Sequence, residues 1–165
     1  MGIDEPCIEL EGIKVKPATN LETDGYSDED DLYIEMLRHA DEVEKMMSNI
    51  GAYMEEIGEW HDWTKFKYFD EFKNDCLERL STPEFKKREW YNIHTIKERH
   101  HVNANCPADV NLFDILEMIV DCGVAGKSRS GEVNFKFLEL NEGILENAYW
   151  NTVQLICDKI VIDDE

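Results

Sequence analysis

A chain of 165 residues is long enough to bury a core, and 42% hydrophobic residues with four Trp, six Tyr and seven Phe argue against disorder. Its 37 acidic and 17 basic residues give a formal charge of -20, a surface that repels phosphate backbones and argues against general nucleic-acid binding. Five scattered cysteines (Cys7, Cys76, Cys106, Cys122, Cys157), with no Cys-x-x-Cys pair and no preceding signal sequence, read as reduced thiols, and no apolar run reaches the ~20 residues of a membrane span.

Over 1–27, Ile8, Leu10, Ile13 and Val15 alternate with Glu9, Lys14 and Lys16 around Gly12, the pattern of a small hairpin. An acidic linker follows Pro17, and 28–165 reads as one helical domain. Ser27 suits an N-cap, and the acidic residues at 28–31 suit the positive end of a helix running to about 49 and stopped at Gly51. The apolar stripe of this helix is Leu32, Met36, Val43, Met46 and Ile50, and His39 falls within it, so the ring is expected to point inward.

A short helix from about 52 leads into Trp60-His61-Asp62-Trp63-Thr64-Lys65-Phe66. Adjacent His and Asp can offer a divalent ion one imidazole nitrogen and one carboxylate oxygen, although such pairs also arise by chance. A helix over about 67–80 carries Phe69, Phe72, Cys76, Leu77 and Leu80. Thr82-Pro83-Glu84 is a start signal for a helix to about 101. There His94 and His101 are two turns apart and share a face, with Trp90, Lys97 and Glu98 nearby and His100 about a third of a turn away.

Beyond Pro107, a helix over about 109–122 has Leu112, Ile115, Leu116, Ile119 and Val120 on its apolar face. Asp114, Glu117 and Asp121 lie opposite, the pattern of a solvated stripe or the wall of a wet cleft. Gly126-Lys127-Ser128 is similar to the end of a phosphate-binding loop, but the glycine needed five residues earlier is Asp121, which rules out a nucleotide P-loop. Lys127 and Arg129 then read as loop cations within reach of a phosphate. Val133, Phe135 and Phe137 alternate briefly before a last helix over about 141–159, whose Ile144, Leu145, Ala148, Val153 and Ile156 close the core. The pattern as a whole is all-α.

An inward His39, then His61-Asp62, then more histidines, then Asp121, resembles the HD-domain superfamily of metal-dependent phosphohydrolases, whose ligands run His, His-Asp, Asp. Lys65 stands where that family places a lysine three residues after the pair. Members with two metals add a His and a His-His pair, the order of His94, His100 and His101. Glu117-Met118-Ile119-Val120-Asp121 is similar to a Glu-Met-Ile-x-Asp segment in a group of small phage and bacterial members, and the likeness covers about 30–125. Cys122-Gly123 departs from that group, where an aromatic residue would follow the last Asp, and no His-Asp-Gly-Tyr-Pro extension is present.

The resemblance implies an all-α, HD-like bundle, to which the pattern of residues 1–27, outside the likeness, adds a small N-terminal β-hairpin or extended arm. It implies one or two divalent transition-metal ions (Mn, Fe, Co, Ni or Zn) held by His39, His61, Asp62, His94, His101 and Asp121. Lys65, Asp62 and Glu117 would serve catalysis, Glu117 by positioning or deprotonating water, while Lys65, His100, Lys97 and Arg99 would meet the substrate phosphate. The implied reaction is hydrolysis of a small anionic phosphate ester, a nucleotide above all, by a water whose pKa the metal lowers toward ~7. The charge of -20 also fits a rival from another class: a non-catalytic acidic protein on a degenerate HD fold, imitating nucleic acid toward a basic protein partner or inhibiting a host enzyme. The cytoplasm is the expected location under both readings, and the host's cytoplasm if the chain is phage-encoded.

Overall fold

The computed structural model describes residues 3–17, 29–78 and 81–163; the linker at 18–27 and its Ser27 cap lie outside them. The described chain is mostly helical with one small sheet, in keeping with an all-α fold and a β arm. It runs β1 (Ile13–Val15), α1 (Glu29–Glu59), α2 (Trp63–Lys67), α3 (Phe69–Leu77), α4 (Thr82–Phe85), α5 (Glu89–Lys97) and α6 (Leu112–Ser130). A 3₁₀ turn (Phe135–Phe137), α7 (Glu142–Cys157) and β2 (Ile160–Ile162) complete it. The chain divides into two compact units, one of Ile57–Val153 with the N-terminal segment up to Cys7, the other from Ile8–Glu56 and Gln154–Glu165.

In the second unit β1 pairs with β2, parallel, with Ile13 opposite Ile160 and Val15 opposite Ile162. Parallel strands cannot be joined by a tight turn, so the expected N-terminal hairpin is instead an extended arm paired with the C-terminal strand. Gly12 permits the approach: a Cβ there would lie 2.7 Å from the Lys159 carbonyl oxygen. Polar contacts hold the arm to α1, with Lys16 N–H donating to Glu42 Oε1 (3.1 Å), Arg38 to the Lys16 carbonyl (3.2 Å) and Asn49 to the Gly12 carbonyl (3.3 Å). Arg38 also neutralises Glu35 and Glu42 on its own helix. α1 does not stop at Gly51 but continues to Glu59, absorbing the short helix expected from 52. One interior glycine costs only about 1 kcal/mol, too little to end a helix of 31 residues.

In the first unit the core is Val102, Val110, Ile115, Met118 and Ala148, flanked by Leu112, Cys122, Leu138, Leu140 and Ile144. α6 begins at a full capping box, Asn111 accepting from the Phe113 and Asp114 amides while Asp114 accepts from the Asn111 amide. Gly131, at φ 78°, ends it. The helix therefore runs through the expected 123–131 loop, and Lys127 and Arg129 sit in its last turn. Thr152 on α7 accepts the Leu112 amide (2.8 Å) and Asn151 donates to the Val110 carbonyl (2.7 Å), fixing the entry to α6. The expected helix over 82–101 is broken into α4 and α5, and that over 67–80 corresponds to α3, with the separate α2 ahead of it in the His61-Asp62 stretch. α2, α3 and α5 pack on one another, with Trp90 buried against Phe72 and Phe85 and donating to Asp75 (2.7 Å).

Candidate metal centre

The site is built in the first unit from three interruptions of helical structure and one helix. At the first, the chain turns between α1 and α2, where Asp62 takes left-handed backbone angles (φ 62°, ψ 22°), alone among the described non-glycine residues. Asp tolerates that region better than most side chains. Neighbours on a regular helix point ~100° apart, but this turn brings His61 Nε2 within 3.5 Å of Asp62 Oδ2.

The second interruption ends α5. Glu98 is extended (φ -85°, ψ 108°), and the chain folds back so that His100 and His101 come from a turn and not from a helix face. His101 still meets His94, at 2.7 Å between their Nε2 atoms, but through this reversal and not through the two-turn spacing expected of one helix. The third is the loop leading to the Asn111 cap, which starts α6 so that Glu117 and Asp121 face the imidazoles.

Two groups of ligand atoms result, each with its members within 4.8 Å of one another: Asp62, His94, His100 and His101, and His61, His100 and Glu117. Asp62 Oδ1 lies 3.6 Å from His94 Nε2 and 3.9 Å from His100 Nε2. His61 Nε2 lies 3.5 Å from Asp121 Oδ1, and its Nδ1 bonds Glu117 Oε1 at 2.9 Å. His100 Nδ1 is also 2.9 Å from that Glu117 oxygen, but outside hydrogen-bonding geometry. Lys65 pairs with Asp62 Oδ2.

Asp62 Oδ1 and both ring nitrogens of His100 are buried without a hydrogen bond. Buried polar atoms in folded proteins nearly always have a partner. A neutral imidazole has one lone pair. His100 Nε2 faces Asp62 Oδ1 at 3.9 Å while its Nδ1 faces Glu117, so the unpaired Nε2 and Oδ1 fit a shared cation. The donor set of imidazoles and carboxylates suits a divalent transition metal. The described residues thus contain a cluster able to hold a metal ion.

Electrostatics support the same division of roles. Burial, helped by the positive neighbours it would meet, pushes His94 down to about 2 and His101 down to about 4, so both rings are neutral and have a lone pair to give. His61 is pushed up to about 10 by Asp121 and by Glu117, the nearer of the two. Asp121 is held down to about 2 by the same His61. Burial raises Glu117, but the imidazoles of His100 and His61 outweigh it and hold its carboxyl below the ordinary range.

Of the residues picked out from sequence, His61, Asp62, Lys65, His94, His100, His101, Glu117 and Asp121 are brought together. His39 is not among them: it belongs to the second unit, lies exposed on α1 instead of pointing inward, and is in neither ligand group. The stripe it shares with Leu32, Met36 and Val43 is itself exposed, because the buried Met46 and the contacts of Arg38, Glu42 and Asn49 lie on another side of the helix. Arg99, expected at a phosphate, is engaged by Asp114 (2.7 and 2.8 Å) and Asp109 (3.1 Å). Lys97 bonds Glu5 (2.8 Å), and Lys127 turns to the Gly131 carbonyl (3.2 Å).

Thr64 and Glu98 were the residues that pattern did not single out. Thr64 is fully buried and lies 2.7 Å from His94 Nδ1, and Glu98 accepts from both its amide (2.8 Å) and its hydroxyl (2.6 Å). The available signal was spacing: Glu98 is four residues after His94, and Thr64 two after Asp62. Beside His61 there is also a cavity of about 180 Å³ lined by Ile3, Glu59, Trp60, Trp63 and Phe66. No family model, curated protein or solved structure matches this chain.

Proposed function

We propose that the protein is a metal-dependent phosphohydrolase acting on a small phosphate ester, a nucleotide above all. The observation that carries this is the convergence on Asp62 Oδ1 of His94 and His100 nitrogens, with His101 in the same group of ligand atoms and the Lys65 ammonium on the other Asp62 oxygen. The motif order resembling HD-domain phosphohydrolases supports the same reading. Asp62, His94, His100 and His101 would hold one ion of the Mn, Fe, Co, Ni or Zn class. His61, His100 and Glu117 are the ligand group in reach of a second, with Asp121, in neither group, 3.5 Å from His61. A bound ion there supplies Lewis acidity and lowers the pKa of a water to the neutral range.

The chain's own residues do the rest. Lys65 is the cation nearest the cluster and binds phosphoryl oxygens while keeping Asp62 oriented. Asp121 faces His61 from a half-exposed position and, held ionised by that ring, would accept a hydrogen bond from water there and so orient it. Glu117 anchors His61 through Nδ1, a role that keeps Nε2 toward the cluster. The aromatic walls at Trp60, Trp63 and Phe66 offer a planar ring an apolar surface beside His61. Arg99, committed to Asp114, is left out of phosphate binding.

The test is elemental analysis of untagged protein beside the His61→Ala/Asp62→Ala double variant, followed by a screen of nucleoside mono-, di- and triphosphates with the metal found. Bound transition metal in the wild type, lost in the variant, together with phosphate release, is the expected result. Metal-free wild type that stays empty after incubation with all five ions overturns the reading. It would leave the acidic-mimic alternative, which the charge of -20 favours.

A further inference from the structure

Among the described residues Glu98 is a buried carboxylate with no Lys or Arg partner, and Thr64 beside it has no exposed surface at all. Burying such a group is costly unless its hydrogen bonds are made and used. With Glu98 ionised, the proton count across the three residues has one solution. Glu98 Oε1 accepts the Thr64 backbone N–H at 2.8 Å, so it is an acceptor. It also lies 2.6 Å from Thr64 Oγ1, which therefore gives it the one proton a hydroxyl has. Thr64 Oγ1 is then left with lone pairs only, and it sits 2.7 Å from His94 Nδ1. That nitrogen must carry hydrogen, and in a neutral imidazole the other nitrogen, Nε2, is then bare.

We infer that Thr64 and Glu98 are positioning residues that lock His94 as its Nδ1–H tautomer and so present a bare Nε2 to Asp62 and His101. Glu98 acts through the hydroxyl: its own oxygen is 3.9 Å from His94 Nδ1, beyond a direct bond. The arrangement has the logic of an outer carboxylate that orients a metal-binding histidine, here with a hydroxyl between. Packing of α2 on α5 sets the distance, because Thr64 is on α2, His94 is on α5, and Glu98 is the residue where α5 ends. The inference rests on the metal reading only for what the bare nitrogen is for; the tautomer stands by itself.

Long-range ¹H–¹⁵N NMR of the metal-free full-length protein reads the tautomer directly. A protonated Nδ1 and an unprotonated Nε2 at His94 are expected in the wild type and in Thr64→Ser. In Thr64→Val the Nε2–H form is expected to appear, and zinc affinity to fall by about 10- to 100-fold, the usual loss when an outer partner is removed. Thr64→Ser is expected to restore that affinity, which a merely space-filling role for Thr64 would not require. A wild-type His94 with Nε2–H overturns the inference without any variant, as does a Thr64→Val protein with unchanged tautomer. Wild type that shows the Nδ1–H form yet binds no metal overturns the metal reading and leaves the lock standing.

Discussion

Helices α1 and α6 carry the same kind of amphipathic pattern and use it in opposite ways. On α6 the polar stripe is the working face: Asp114 is 4% exposed in its capping box and Arg99 fork, and Glu117 and Asp121 face His61. Leu116, Ile119 and Val120, apolar, are left exposed beside it. On the N-terminal half of α1 the stripe of Leu32, Met36 and Val43 is exposed as well, yet no chemistry replaces it, since the polar residues there hold the β1 arm. Periodicity tells which residues share a face. It does not tell which face is covered, and buried carboxylates need imidazole or guanidinium partners that come from elsewhere in the chain.

The largest effect should come from setting Asp62, in the ligand cluster, against His39 on α1. Asp62→Ala removes the carboxylate from a ligand group that holds three imidazoles, and its metal affinity is expected to fall by more than the about 100-fold typical of losing an outer partner. His39→Ala, exposed on α1 and in neither ligand group, is expected to leave affinity within about twofold, as for an ordinary surface change. Isothermal titration with zinc or manganese reads both. An equal loss in the two variants would abolish the contrast drawn here and restore His39 as a ligand.

Next in size is stability. Asp114→Ala removes the reciprocal half of the α6 capping box and strands the Arg99 guanidinium, and about 3 kcal/mol is expected in urea unfolding. Arg99→Ala should cost about as much, with little further loss in the double variant, because the two changes break one interaction. Additive losses would mean that the cap and the ion pair act separately.

Much of this could be read from the chain before any coordinates, and the failures have physical causes. The all-α class followed from helical periodicity, while the gathering of His61, Asp62, His94, His100, His101, Glu117 and Asp121 was what the resemblance to the HD-domain motif order implied, since each residue by itself reads as readily as core or solvated surface. The route by which they meet was not legible. A left-handed Asp62 and an extended Glu98 each depend on tertiary contacts, so local pattern read His94 and His101 as neighbours on one helix. Of the two forms expected at the N-terminus, the extended arm holds and not the hairpin, because β1 finds its partner some 145 residues later in sequence, at β2, where Ile13 pairs with Ile160. Gly51 and Gly123 look like stops, but one interior glycine costs only about 1 kcal/mol, and both helices continue through them.

A third prediction concerns pH in chelator-treated protein. His94 and His101, with ordinary values of 6.5, are pushed by burial to about 2 and about 4. Their folded forms refuse protons that the unfolded chain binds, so their contribution is complete above about pH 6.5 and is lost as pH falls, at up to about 1.4 kcal/mol per pH unit for each proton. His61 has the opposite sign: raised to about 10 by Asp121 and Glu117, it contributes fully below about 6.5 and loses that contribution as pH rises through about 10. Asp121, lowered from 3.8 to about 2 by His61, adds a loss only at the acid extreme. Urea midpoints between pH 4 and 10 should therefore peak near pH 6.5. A midpoint that rises or falls without a maximum across that range would show that the site is not assembled without metal.

The smallest expected effects fall on the two exposed apolar stripes, and they are the sharpest check on the comparison of the helices. Leu116→Gln and Ile119→Gln on α6, and Met36→Gln on α1, keep good or tolerable helix formers and remove side chains that are 45% or more exposed. Each should stay within about 0.5 kcal/mol of the wild type. A loss well above 1 kcal/mol would mean that water is not what covers that stripe. Repeating the melt at several protein concentrations then separates the causes, because cover from a second copy makes Tm rise with concentration, while cover from within the chain does not.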